Sequence, residues 1–290
     1  MSLSNRIPRN LVGNTPMVQL SDHLWAKLET FNLTGSIKDR VINYILRRAC
    51  DNGLVVPNSI LVEATSGNTG ISLAAHGALL GLKVKIIMPR NMSEERKKML
   101  RMYGAEIVEV GDSDFAAAIT LRDELVSNNE DHWSPCQFEN PDNILCHRIT
   151  TAHEIASQLP HDVSWDAFVS GAGTGGTIMG VSEYTRAVSG LSVEMVMVTP
   201  AEPASEHGIQ GINDGGDFLV SHEMIDSTIK IKTEDAMARA SSLASDNGLL
   251  VGISAGANIL AAERWIKKNS PKGAVVTILC DRGERYLSLL

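Results

Sequence analysis

Short apolar runs rich in β-branched residues recur along the chain. They fall at 59–64 (SILVEA), 83–88 (KVKIIM), 105–110 (AEIVEV), 167–170 (AFVS), 193–200 (VEMVMVTP) and 274–279 (AVVTIL). Their apolarity is continuous rather than alternating, which predicts strands covered on both faces. Segments with helical spacing lie between them. Residues 41–53 carry apolar positions at that spacing and reach a stop at Gly53. Residues 93–104 open on Ser93 as an N-cap, place Glu94 and Glu95 in the first turn and end at Gly104. This β-α-β-α rhythm implies parallel sheets with right-handed crossovers. It breaks at 111–147, where 127–143 (SNNEDHWSPCQFENPDN) is polar with two prolines. That stretch reads as a connection between two α/β layers. Met88, Met92, Met99 and Met102 read as helix packing.

At 290 residues the chain has the length of two domains. A net charge of −8 argues against a nucleic-acid partner, and no stretch is apolar enough for a transmembrane helix. The opening residues have no apolar core, so no signal peptide is expected. Cys50, Cys136, Cys146 and Cys280 are scattered without a C-x-x-C pair. That suits reduced thiols in a cytoplasmic protein with neither disulfides nor a metal site.

Three segments carry chemistry. In the first, Thr34-Gly35-Ser36-Ile37-Lys38 precedes a helix, so Lys38 opens that helix near N–H dipoles that disfavour its charge. Such a lysine could be partly deprotonated and nucleophilic toward a carbonyl, although this segment alone fits a solvated first-turn lysine better. In the second, Thr65-Ser66-Gly67-Asn68-Thr69-Gly70 joins a strand end to a helix start, a cradle for a carboxylate or phosphate. In the third, Gly171-Ala172-Gly173-Thr174-Gly175-Gly176-Thr177 does the same and is the most overtly phosphate-binding stretch. Its G-x-G-x-x-G raises a dinucleotide reading, but Glu194 opens the next strand and Glu202 lies too far on, so that fingerprint is incomplete. Near the end, Gly252-Ile253-Ser254-Ala255-Gly256 is another small-residue turn, in which Ser254 taken singly is an N-cap.

Taken together, TGSIKDR, EATSGNTG, QFENPDN, GTGGT and GISAG, in that order, resemble the cysteine synthase (O-acetylserine sulfhydrylase) family of pyridoxal-phosphate enzymes, from residue 13 to residue 288. CDRGERYLS at 280–288 and MSEERKKMLRMYGAE at 92–106 place it nearer the B-type isozyme. The resemblance implies two three-layer α/β/α domains with mostly parallel sheets, the fold of the tryptophan synthase β-subunit, with the cofactor in the cleft between them. Residues 37–145 would form the N-terminal domain, mobile at about 85–130, and 1–36 with 146–290 the larger C-terminal domain.

The resemblance also implies residue roles. Lys38 would hold pyridoxal 5'-phosphate as a Schiff base, Asn68 would bond its phenolic oxygen, and Gly173, Thr174, Gly175, Gly176 and Thr177 would hold its phosphate. Ser254 would face the pyridine nitrogen. Thr65, Ser66, Asn68, Thr69 and Gln137 would take the substrate carboxylate, with Gly211 also at the substrate. The implied reaction is β-replacement on O-acetyl-L-serine by sulfide through an aminoacrylate, in a cytoplasmic homodimer. Related syntheses of cystathionine or 2,3-diaminopropionate, or of cysteine from O-phosphoserine, are the alternative. Asn213 and Asp214 follow Gly211-Ile212 where B-type members carry arginines, which puts thiosulfate use in doubt, and Leu33 stands in place of a usual proline. A dehydratase would show S-G-N-H where Thr69 stands, and a nicotinamide oxidoreductase would need the acidic residue that is missing.

Overall fold

The computed structural model describes residues 3–289, apart from Arg9, Ser66, residues 204–205, residues 213–215 and Asp217. Ser66, Asn213 and Asp214, singled out above, therefore lie outside the described residues. Along the chain β1 (Met17–Gln19) and β2 (Leu24–Leu28) precede α1 (Lys38–Asp51). There follow β3 (Ile60–Ala64), α2 (Asn68–Leu80), β4 (Lys83–Pro89), α3 (Glu94–Met102), β5 (Glu106–Val110), α4 (Phe115–Asn128) and β6 (His132–Trp133). Next are α5 (Asp142–Ile149), α6 (Thr151–Gln158), β7 (Trp165–Gly171), α7 (Gly176–Glu183) and β8 (Glu194–Pro200). The chain closes with β9 (Ser227–Ile231), α8 (Thr233–Asn247), α9 (Ile253–Asn269) and β10 (Ala274–Leu279). All six strands expected from apolar runs are strands here, and the run at 274–279 matches β10 residue for residue.

The first of two units comprises Met1–Val12 and Lys38–Asn140. Its sheet, among the described residues, runs β5-β4-β3-β6 and is parallel throughout. A period of two is hidden inside the continuous apolar runs. Leu61, Val84, Ile86 and Met88 pack into one core with Ile42, Leu46 and Ile71. Val62, Ala64 and Ile87 turn to the other face and meet Ala118 of α4. In the central β3 and β4, covering both faces lets residues on either side contribute, by about 1.5–3 kcal/mol for each fully buried large aliphatic side chain. The stretch 111–147 is not a bare connection. It contains α4, whose N-cap Asp114 accepts from the Ala117 N–H at 2.9 Å, as well as β6 and the start of α5. Residues 1–12 divide with this unit and 13–37 with the second, unlike the expected grouping of 1–36 as a whole with the larger domain. Arg47 of α1 donates to the carbonyls of Ser4 and Ile7, and Ser4 Oγ donates to Asp51. Residues 141–145, expected here, divide with the second unit.

The second unit comprises Gly13–Ile37 and Pro141–Leu290. Its sheet runs β1-β2-β10-β7-β8-β9; β1 is antiparallel to β2 and the other pairings are parallel. The same alternation recurs: Val275 and Leu279 face α8 and α9, whereas Val276 and Ile278 face the core that holds Ile155 and Ile178. Lys27 is wholly buried in β2, where Glu154 at 2.8 Å, Gln158 Oε1 at 2.8 Å and the Thr15 carbonyl at 2.5 Å compensate its charge.

Smaller expectations divide. Ser93 does occupy the N-cap of α3, but its side chain makes no capping bond. Met88 is core and Met92 and Met99 pack against it, but Met102 is 88% exposed.

In both sheets the chain reverses its direction of travel across the strands. It moves from β3 to β4 to β5, then returns to lay β6 on the other side of β3. Likewise it runs from β7 through β8 to β9 and returns to place β10 beside β7. Crevices at the carboxyl ends of strands flanking such a reversal are where open α/β sheets bind ligands.

Candidate active site

In the first unit, β3 delivers Thr65 and the start of α2, and β6 delivers the turn at 134–140. Because β3 and β6 are neighbours, two sequence-distant motifs meet. Thr69 Oγ1 donates to Gln137 Oε1 at 2.6 Å, and both residues are buried. Thr65 is buried and its Oγ1 accepts from the Gly67 N–H at 3.2 Å. Asn68 is half-buried and opens α2, where N–H groups lack intrahelical partners. The donors gathered here suit a carboxylate. Lys38, half-buried, is the first residue of α1, the helix-opening position expected of it. The residues just before it are pinned within the second unit: the Ile37 N–H donates to the Cys280 carbonyl at 2.9 Å, Ser36 bridges Asp281, and Arg285 donates to the Thr34 carbonyl.

Beneath the cradle lies a group that sequence reasoning missed. Glu63, at 0% exposure in β3, accepts from the Ala64 N–H at 2.9 Å, from Arg122 Nη1 at 3.5 Å and from the Gln137 N–H at 3.5 Å. Burial dominates and pushes its pKa up to about 7, against the opposing pull of Arg122. Arg122 is shared with Asp123, whose carboxylate it meets at 2.7 Å. The neighbouring Cys136 thiol is also pushed up, first by burial. A charged residue within an apolar strand (SILVEA) was the available signal.

In the second unit, the loop after β7 forms a cup. Gly175 adopts φ +90° and caps α7, which begins at Gly176. A Cβ on Gly173 would lie 2.4 Å from the Gly211 carbonyl oxygen, so these two expected site residues do meet. Thr174 Oγ1 accepts from Asn143 Nδ2 at 3.0 Å and from the Gly176 N–H at 3.4 Å, and Thr177 Oγ1 lies 3.3 Å from His147 Nε2. Asn143 and His147 were not anticipated, although Asn143 ends the QFENPDN motif. Asn258 fixes the root of the cup, accepting from the Gly171 N–H at 2.8 Å and donating to the Ile278 carbonyl at 2.9 Å. Its signal was an amide inside an apolar helix. Ser254 is buried as the second residue of α9, while Gly252 takes the N-cap position that the turn alone suggested for Ser254. Both candidate dinucleotide acids are engaged within the protein: Glu194 accepts from Ser227 Oγ and Trp265 Nε1, and Glu202 Oε1 accepts from the Thr233 N–H.

The cup has the features a phosphate ester needs, namely backbone N–H groups at a helix start, hydroxyls, and glycines that let the ligand approach. A lysine at a helix opening fits an aldehyde. No group of three or more His, Cys, Asp or Glu suited to a metal occurs among the described residues.

Residues 9–281 match the family described as pyridoxal-phosphate dependent enzyme. The chain is 40% identical over 295 aligned positions to cysteine synthase B of Campylobacter jejuni, covering 96% of this chain and 95% of that protein. It superposes on the hydrogen sulfide-producing enzyme of Fusobacterium nucleatum with a TM-score of 0.90, at 37% identity over 97% of this chain and 89% of that one. For the cysteine synthase of Entamoeba histolytica the TM-score is 0.87, at 35% identity over 98% of this chain and 91% of that one. The chain therefore belongs to the family of pyridoxal-phosphate-dependent enzymes, among its cysteine synthases, and takes pyridoxal 5'-phosphate as cofactor.

Proposed function

We propose that the protein replaces the acetoxy group of O-acetyl-L-serine with sulfide, giving L-cysteine and acetate. The observation that carries this reading is the 2.6 Å bond between Thr69 and Gln137, two positions 68 residues apart that the family pattern assigns to one substrate carboxylate. Lys38 is the proposed cofactor lysine. Residues 173–177 would hold the phosphate, with Asn143 and His147 fixing their hydroxyls, and Ser254 would face the ring nitrogen. Asn68 would take the phenolic oxygen, Thr65, Ser66, Asn68 and Thr69 with Gln137 would orient the amino acid by its carboxylate, and Gly211 is proposed as a further substrate contact. The cofactor supplies an electron sink for charge left at Cα. Lys38 Nζ takes the Cα proton, acetate leaves Cβ with its bonding electrons, and after sulfide adds to Cβ the same amine returns a proton to Cα. A neutral serine at the ring nitrogen favours loss of the β-group over transamination.

The test is direct. Purified protein supplied with O-acetylserine and sulfide yields cysteine and acetate in equal amounts. Lys38→Ala lowers turnover roughly 10²–10⁴-fold and abolishes the visible imine absorption, and a variant with full activity would overturn the assignment. The likeness to a hydrogen sulfide-producing enzyme supports a second reading, a related β-replacement. A panel of O-acetylserine against O-phosphoserine, each with sulfide and homocysteine, separates the two. Among the described residues no helix is long and apolar enough to cross a membrane. A cytoplasmic homodimer is part of the proposal, and light scattering of the purified protein tests the dimer.

A further inference from the structure

Glu63 is not among the residues proposed to hold cofactor or substrate, yet its carboxylate is where three pieces of the first unit meet. It stands on β3, one residue before the strand hands over to the carboxylate loop. One oxygen accepts from the Ala64 N–H and faces Arg122 of α4; the other faces the Gln137 N–H. The Gln137 side chain then fixes the Thr69 hydroxyl. The turn carrying Gln137 needs holding. Cys136, immediately before it, sits at φ +47°, a conformation L side chains rarely adopt. Its carbonyl accepts from the Glu139 and Asn140 N–H groups, which tightens the turn from the far side. Glu63 holds it from beneath.

We propose that Glu63, braced by Arg122, is a positioning residue that sets Gln137 and Thr69 for an amino-acid carboxylate. This deepens the reading of residues 65–69 and 137 as that cradle and rests on it. The charged and titratable groups facing Glu63 are Arg122, which also pairs with Asp123, and the Cys136 thiol. An amide in place of Glu63 presents one acceptor where the carboxylate presents two. Either the Ala64 N–H or the Gln137 N–H would then face an NH2 group, and Arg122 would lose its buried counter-charge.

The experiment uses Glu63→Gln and the double variant Glu63→Gln/Arg122→Met, which removes the stranded charge and keeps the test open if the single variant folds poorly. L-serine, with its poor leaving group, is titrated against each holoenzyme through the change in cofactor absorption. Amide hydrogen exchange is followed over residues 134–140. The expected result is a Kd for L-serine raised roughly ten-fold or more in both variants, faster exchange at Gln137, and the cofactor absorption of the serine-free holoenzyme unchanged. Wild-type L-serine affinity and wild-type exchange in a folded variant would overturn the proposal. So would loss of cofactor in both variants, since that marks a general structural role. If wild-type protein fails to make cysteine while the exchange result holds, the functional reading fails and the positioning role stands.

Discussion

At the scale of single residues, Glu63 tilts stability with pH as well as shaping the cradle. An acid whose folded pKa is raised binds protons in the folded state that the unfolded chain has released. With an ordinary value of 4.5 and a folded value of about 7, stability falls as pH climbs between them and levels off above. The full effect is on the order of 3 kcal/mol. Glu109, lowered chiefly by its bond to Lys97, and Glu202, lowered chiefly by the Thr233 N–H, act below 4.5 and leave this window untouched. His76 opposes Glu63, because burial lowers its pKa and the folded state resists protonation below 6.5. The difference between wild type and Glu63→Gln isolates the carboxylate. Urea midpoints from pH 5 to pH 8 are expected to fall with rising pH more steeply in wild type than in the variant. Parallel curves would remove the assignment.

At the scale of elements, the phosphate cup makes a sharp steric prediction. A methyl on Gly173 would press on the Gly211 carbonyl oxygen, which is backbone and cannot swing aside. Gly173→Ala is expected to weaken cofactor retention at least roughly ten-fold and to cost about 1–3 kcal/mol of stability. Equilibrium dialysis and denaturant melts read the two effects separately, and undiminished retention would show that the cup is not where the phosphate binds. This loop was legible in the sequence because glycines and hydroxyls before a helix are a local signal, as were the strands buried on both faces. The reading at 111–147 failed for a physical reason. The apolar residues 118, 119, 121, 125 and 126 do have helical spacing, but the stripe also buries the charged Arg122 and runs directly into a polar, proline-bearing tract. Equally hidden was the meeting of Thr69 with Gln137. It follows from β6 lying beside β3 rather than beside β5, and sheet order is a property of the assembled layers that no local window encodes.

At the scale of the whole molecule, each unit packs apolar cores on both faces of its own sheet. The proposed cofactor contacts are divided between the units: Lys38 and Asn68 in the first, residues 173–177 and Ser254 in the second. A ligand that binds the folded chain and not the unfolded one adds its binding free energy to stability. Linkage sets the size at about 2.7 kcal/mol when free ligand is at 100 times its Kd. The net charge of −8 does not oppose this, since the phosphate is met by N–H groups and hydroxyls at close range. Stripping the cofactor with hydroxylamine is expected to lower the melting temperature by roughly 5 °C or more, and adding pyridoxal phosphate back should restore it. Gly173→Ala, damaged in one unit only, should gain much less from the addition. Should stripped and loaded protein melt together, the contacts assigned to one unit or the other would not be made. The first unit's loop at 65–69 and the second unit's cup at 173–177 would then have to be tested apart, by L-serine titration and by phosphate competition respectively.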